Sequence, residues 1–232
     1  MTEPIIQIED LRKTFIMGDT QVHALAGVSL QIQPGEFWLI MGPSGSGKST
    51  LLYLLGGLDR PTSGKIIVDG QRIDILDENA LAIYRRRTVG FIFQSFNLIS
   101  SMTALDNVEF PMRFAGVGTK QRREIALRAL QHVGLTERAY HKPTELSGGQ
   151  QQRVAIARSL VNQPKLILAD EPTGNLDSSS GASVMQVLSD LHRSGATIVM
   201  VSHDARMIDY ATHTVHILDG KITEQGSIQT SA

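Results

Sequence analysis

Gly42-Pro43-Ser44-Gly45-Ser46-Gly47-Lys48-Ser49-Thr50 fits the pattern G-x-x-x-x-G-K-[ST], a loop built to cradle phosphate. The apolar run Phe37-Trp38-Leu39-Ile40-Met41 precedes it and has the length and composition of a buried strand. Leu51-Leu52-Tyr53-Leu54-Leu55 follows without a breaker and suits a helix. The loop therefore sits between a strand and a helix N-terminus, where free backbone N–H groups and the helix dipole both favour an anion. Gly42, Gly45 and Gly47 let the backbone wrap close to phosphate oxygens, with Pro43, Ser44, Ser46 and Thr50 completing the loop. Lys48 can reach the β- and γ-phosphates of a nucleotide, and the Ser49 hydroxyl can ligate Mg2+. A flexible Gly/Ser turn is the plain alternative. The fit at every specified position, in strand–loop–helix context, argues against it.

Two further strand-like runs, Leu166–Asp170 and Thr197–Val201, also end in polar chemistry at their C-terminal side, with helical segments between. That is the layout of an open parallel sheet whose ligands bind outside the carboxyl ends of the strands. Near the N-terminus, separate short strands at 5–9, 22–26, 27–33 and 65–69 have no helix among the first three and are expected to form an antiparallel layer. Asp69-Gly70 is a hairpin signal. The helix after the loop is expected to end at Asp59–Gly64, and a turn is expected at Met17-Gly18-Asp19. Residues from about 95 to 160 read as mostly helical. The expected fold is α/β: a P-loop NTPase core with a mostly parallel sheet, an N-terminal antiparallel β layer and an inserted helical lobe. The whole chain, 1–232, is then one domain, with 1–94 and 162–232 as core and 95–161 as lobe.

Composition narrows the setting. The 232 residues are 41% hydrophobic and 19% charged, as in an ordinary globular protein. The net charge of −1 gives no basic footprint for nucleic acid, so no nucleic-acid partner is expected. There are no cysteines, which removes disulfides and thiolate metal sites. No apolar run approaches the roughly 18 residues that a membrane span needs, and the acidic opening shows no signal-peptide pattern. A soluble chain is expected, with any membrane role coming through a partner. The charged face of the helix near 120–133 reads as a solvated surface.

Asp170-Glu171 closes the second strand run. A carboxylate there is placed to hold Mg2+ through water, and the adjacent Glu171 can act as general base toward a water attacking the γ-phosphate. His203 follows the third run and can hydrogen-bond the γ-phosphate or that water. Gln94 ends another strand run and can offer its carbonyl oxygen to Mg2+ or water. Leu146-Ser147-Gly148-Gly149-Gln150 is a second Gly/Ser loop at a helix start, with Ser147 placed as an N-cap. Two phosphate-receptive helix starts thus share one Lys-Ser pair.

Gly42–Thr50, Gln94, Leu146–Gln150, Leu166–Glu171, Asn175-Leu176-Asp177 and His203, in this order and spacing, resemble the nucleotide-binding subunit of ATP-binding cassette (ABC) transporters. Stretches such as Gly57-Leu58-Asp59, Gly90–Gln94 and Asp170–Asp177 look like the macrolide-exporter and lipoprotein-releasing subgroup. The resemblance implies a Mg2+-dependent ATPase that works as a head-to-tail homodimer. Ser147, Gly148, Gly149 and Gln150 of one copy would meet the γ-phosphate held by Lys48 of the other. Asp177 would lie at the seam, and Phe15 would stack on adenine. Gln94 would link the nucleotide to the lobe, beside a cleft that receives a membrane permease. The resemblance further implies a cytoplasmic location, peripheral on the inner face of the cell membrane. An ABC ATPase that moves a membrane protein without transporting a substrate is the alternative within the same family. Soluble ABC ATPases of DNA repair or translation usually carry two cassettes or large insertions, unlike this chain.

Overall fold

The computed structural model describes residues 3–18 and 20–228. Its elements, in chain order, are β1 (Ile6–Met17), β2 (Thr20–Ile32), β3 (Phe37–Met41), α1 (Lys48–Leu55), β4 (Ser63–Val68), β5 (Gln71–Arg72), α2 (Glu78–Thr88), β6 (Val89–Ile92), α3 (Ala104–Phe114), α4 (Thr119–His132), α5 (Gly148–Leu160), β7 (Leu166–Asp170), α6 (Ser178–Arg193), β8 (Thr197–Val201), β9 (His213–Leu218) and β10 (Lys221–Ser227).

Two sheets carry the architecture. One is antiparallel, in the order β2-β1-β4-β5. The other runs β10-β9-β3-β8-β7-β6 and is parallel except for the closing β9–β10 pair. The parallel strands show why the apolar runs were continuous. In β3, Phe37, Leu39 and Met41 enter one buried cluster while Trp38 and Ile40 enter another. Alternate residues of a strand point to opposite faces, and both faces of this sheet are covered. The same division holds for Ile167 and Ala169 against Leu166 and Leu168, and for Ile198 and Met200 against Val199 and Val201. The first cluster lies against α3, α4, α5 and α6, and the second lies against α1 and the antiparallel sheet.

The expected α/β fold is present, with three differences in detail. The strand expected at 5–9 runs on to Met17 as one strand, β1, kinked near Asp10, which has a φ of 41° and an interrupted pairing register. Likewise 22–26 and 27–33 are one strand, β2. Breaks in alternation that look like strand ends are bulges that keep the ladder going. The third difference is the end of α1, which stops at Leu55 rather than at Asp59–Gly64. There Gly56 N–H donates to Leu52 C=O and Leu58 N–H donates to Tyr53 C=O, closing the helix before the expected polar stop. The Asp69-Gly70 turn joins β4 to β5 as expected, with φ of 51° and 72°, the left-handed pair of a two-residue hairpin. Of the expected turn at 17–19, Asp19 lies outside the described residues.

Candidate nucleotide site

β3, β8, β7 and β6 are neighbours in the parallel sheet, so their carboxyl ends line one edge. Along that edge stand the 42–50 loop after β3, His203 after β8, Asp170 and Glu171 at the end of β7, and Gln94 after β6. Sequence positions more than a hundred residues apart become one site because parallel strands deliver their ends to the same side.

The loop is shaped by both sheets. A Cβ on Gly42 would collide with the carbonyl oxygen of Ile217 in β9, and one on Gly47 with that of Ala24 in β2. Gly47 caps α1 with a φ of 105°, a conformation open to glycine. Gly220 N–H donates to Ser46 C=O at 3.0 Å, and Ala26 N–H donates to Gly220 C=O at 2.8 Å, so the β9–β10 turn is stitched between the loop and β2. Lys48 is buried, and its ammonium donates to Pro43 C=O at 2.8 Å across the loop. Burial lowers its pKa, opposed by the nearby charges of Glu171 and Asp170.

Ser49 Oγ donates to Asp170 Oδ1 at 2.9 Å. Asp170 Oδ2 accepts a second bond from the Tyr53 hydroxyl at 2.8 Å. Burial, and then the bond and charge of Asp170, push the Tyr53 phenol up to about 12. Glu171 has a φ of 42°, which turns its side chain away from the direction of Asp170, and its Oε1 lies 3.0 Å from His203 Nδ1. An ionised carboxylate only accepts, so Nδ1 carries the proton of that bond. A neutral ring then leaves Nε2 as an acceptor, and donation through Nε2 as well requires the doubly protonated ring.

Gln94 sits beside the turn after β7. The spot where Gly174 lacks a Cβ lies against its side-chain amide, and its backbone carbonyl accepts from Asn175 Nδ2 at 3.2 Å. Phe15 lies on the β1–β2 hairpin, 39% exposed, with Lys13 Nζ 4.8 Å from its ring centroid.

The second loop is elsewhere. Ser147 caps α5 in a reciprocal box: Gln150 N–H donates to Ser147 Oγ, and Ser147 N–H donates to Gln150 Oε1 at 2.9 Å. Gly148 faces Leu176, and Gly149 packs against Ser180 at the start of α6, one turn from the N-cap Asp177. Among the described residues no hydrogen bond runs from Ser147–Gln150 to the 42–50 loop, Asp170 or Glu171. The sequence-marked residues thus fall into two groups on one chain.

Two participants escape the motifs. Tyr53 lies four residues after Ser49, the spacing that puts both on one helix face, and this signal was available from sequence. Gln152, fully buried on α5, donates to Pro172 C=O at 2.8 Å and to Phe93 C=O at 3.3 Å. It ties the second loop's helix to the chain beside both Glu171 and Gln94, and no sequence spacing marks it.

The ABC transporter family pattern matches residues 25–174. The chain is 51% identical over 233 residues to the macrolide export ATP-binding/permease protein MacB of Hyphomonas neptunium, covering 100% of this chain and 36% of that protein. It therefore spans about a third of the length of that relative. An ABC transporter ATP-binding protein of Thermotoga maritima is 50% identical over 218 residues, covering 94% of this chain and 93% of the relative. Among solved structures, the dimeric post-hydrolysis state of the ATP-binding cassette MJ0796 bound to ADP and Pi superposes with a TM-score of 0.90 at 43% identity, covering 97% of this chain and 99% of that one. Motif order, whole-chain identity and the two-sheet fold agree, and the chain belongs to the ABC transporter family.

Proposed function

We propose that this chain binds and hydrolyses ATP, and that two copies meeting head to tail drive a membrane permease. One observation carries the reading: a complete phosphate loop, carboxylate pair and histidine share one sheet edge, while a second anion-receptive helix start makes no hydrogen bond to them among the described residues, which supports its serving another copy's nucleotide. The MJ0796 cassette is described as dimeric and bound to ADP and Pi, which supports both parts.

In this reading the Gly42–Thr50 backbone and Lys48 hold the β- and γ-phosphates, and Phe15 supplies an aromatic face to adenine. Ser49 Oγ and Asp170 Oδ1, 2.9 Å apart, are hard oxygen donors with a single carboxylate. That set fits Mg2+, which keeps waters and substrate phosphates as its other ligands. Among the described residues no three acidic, His or Cys side chains are grouped so as to hold a metal ion, so an all-protein cage is not what this site offers. Gln94 would add its carbonyl oxygen from the end of β6. Mg2+ supplies charge neutralisation at the transferring phosphoryl. Glu171, oriented by His203, takes the proton of the attacking water. Ser147, Gly148, Gly149 and Gln150 of the other copy close over the γ-phosphate, with Asp177 at the seam, and hydrolysis releases that bridge.

A cleft of about 570 Å³, lined by Ile83, Arg86, Phe91, Phe93, Phe114 and Arg158, lies between the core and the helices of the 95–161 lobe. We read it as the seat of the permease. The MacB relatives are named as joint ATP-binding/permease proteins, which supports such a partner. No helix of the described residues is long and apolar enough to cross a membrane, so membrane attachment at the inner face is assigned to the permease part.

The test is Glu171→Gln. ATP still binds and a stable dimer accumulates in size-exclusion chromatography, while turnover falls by about 100- to 10,000-fold, the range for loss of a general base. Turnover at the parental rate would remove Glu171 from that role.

A further inference from the structure

Asp170 is 6% exposed, and neither of its oxygens is free. Oδ1 accepts from Ser49 and Oδ2 from Tyr53, two residues one turn apart on the same face of α1. The Tyr53 hydroxyl is not a loose rotor. Its ring packs on Phe91 with centroids 5.9 Å apart, and Phe91 stacks on Phe93 at 4.3 Å. Aromatic packing therefore sets the direction from which the hydroxyl reaches the carboxylate.

Resting on the Mg2+·ATP reading above, we propose that Tyr53 is a positioning residue for the metal-side carboxylate. It holds Oδ2, fixes the plane of Asp170, and leaves Oδ1 alone to face Ser49 and an incoming Mg2+. Without the hydroxyl, Oδ2 stays buried with no donor, and the carboxylate turns to satisfy it elsewhere. Partners that orient a metal-side ligand are worth about 10- to 100-fold in metal affinity when removed. A residue that merely fills space would affect nucleotide binding with and without metal alike. A positioning residue affects only the metal-dependent part.

Tyr53→Phe separates these cases, because it keeps the ring against Phe91 and deletes one oxygen. The experiment uses the full chain and a non-hydrolysable ATP analogue. Binding is followed calorimetrically while Mg2+ is titrated, and again in EDTA. The expected result is a half-saturating Mg2+ concentration raised tenfold or more, with unchanged analogue affinity in EDTA and an unchanged melting temperature. An unshifted Mg2+ titration overturns the assignment. So does an equal loss of affinity in both conditions, since that marks Tyr53 as packing only. If the parental chain shows no Mg2+-dependent binding of the analogue, the reading of the site itself falls, and this assignment with it.

Discussion

Lys48 stands in the site as a cation already withdrawn from water, with one backbone carbonyl as its hydrogen-bond partner. Burial disfavours its charged form, and the two carboxylates nearby only partly compensate. An arriving phosphate supplies what the pocket lacks. Lys48→Ala is therefore expected to leave the melting temperature of the nucleotide-free chain unchanged or slightly raised, and to weaken ATP binding by about 10- to 100-fold, the worth of a lost hydrogen bond to a charged group. Thermal shift with and without Mg2+·ATP measures both halves. At this scale the sequence is a good guide to which marked side chains meet: Ser49 bonds Asp170, His203 bonds Glu171, and Lys48 lies near both carboxylates. It is a poor guide where a residue acts through an unrelated segment. Gln152 bonds to Phe93 and Pro172 through contacts that exist only once β6, β7 and α5 have been packed together.

Among the elements, α6 shows how a loop residue can hold a helix in place. The Asp177 carboxylate accepts from Ser179 N–H at 3.0 Å, Ser180 N–H at 2.9 Å and Ser179 Oγ at 2.7 Å. These bonds, that of the Ser179 side chain first, hold the carboxyl well below its ordinary value of 3.8. With the folded value depressed, the stabilisation is complete above the ordinary range and is lost as pH falls toward the folded one. Asp177→Ala is expected to melt at lower temperature than the parent at neutral pH, with the difference narrowing once the pH drops below 3.8. Melting curves across that range, recorded by circular dichroism at 222 nm, check the sign. The strands of the parallel sheet were legible because burial on both faces writes an unbroken apolar run, as in Leu166–Asp170. The expected end of α1 falls too late, although its signal is local: Gly57 takes a left-handed φ of 61° just after the Gly56 cap, and Leu58 N–H returns to Tyr53 C=O.

For the whole molecule, the two-copy reading proposed above makes turnover depend on chain concentration. Ser147 and Gln150 satisfy each other within the chain, and among the described residues neither hydrogen-bonds to the Lys48 loop. ATP turnover per chain is expected to rise with chain concentration and to level off as dimers saturate, with the rise following dimer content in sedimentation. Turnover per chain that stays flat down to concentrations where sedimentation shows only monomer would contradict the two-copy site. The antiparallel layer and the mostly parallel sheet were both readable from which strands have helices between them. How the sheets meet was not, because the junction is made of backbone: Ala24 and Ile217 carbonyls against the glycines of one loop.

That junction also bears on the order of events while the chain is made. Every residue of the Gly42–Thr50 loop is synthesised well before the turn that braces it through Gly220 N–H on Ser46 C=O. A nascent chain halted before Asp219 has the whole phosphate-binding sequence and lacks the wall that gives it its shape. The brace of the loop is thus made only after the second loop, both carboxylates and the histidine have been made.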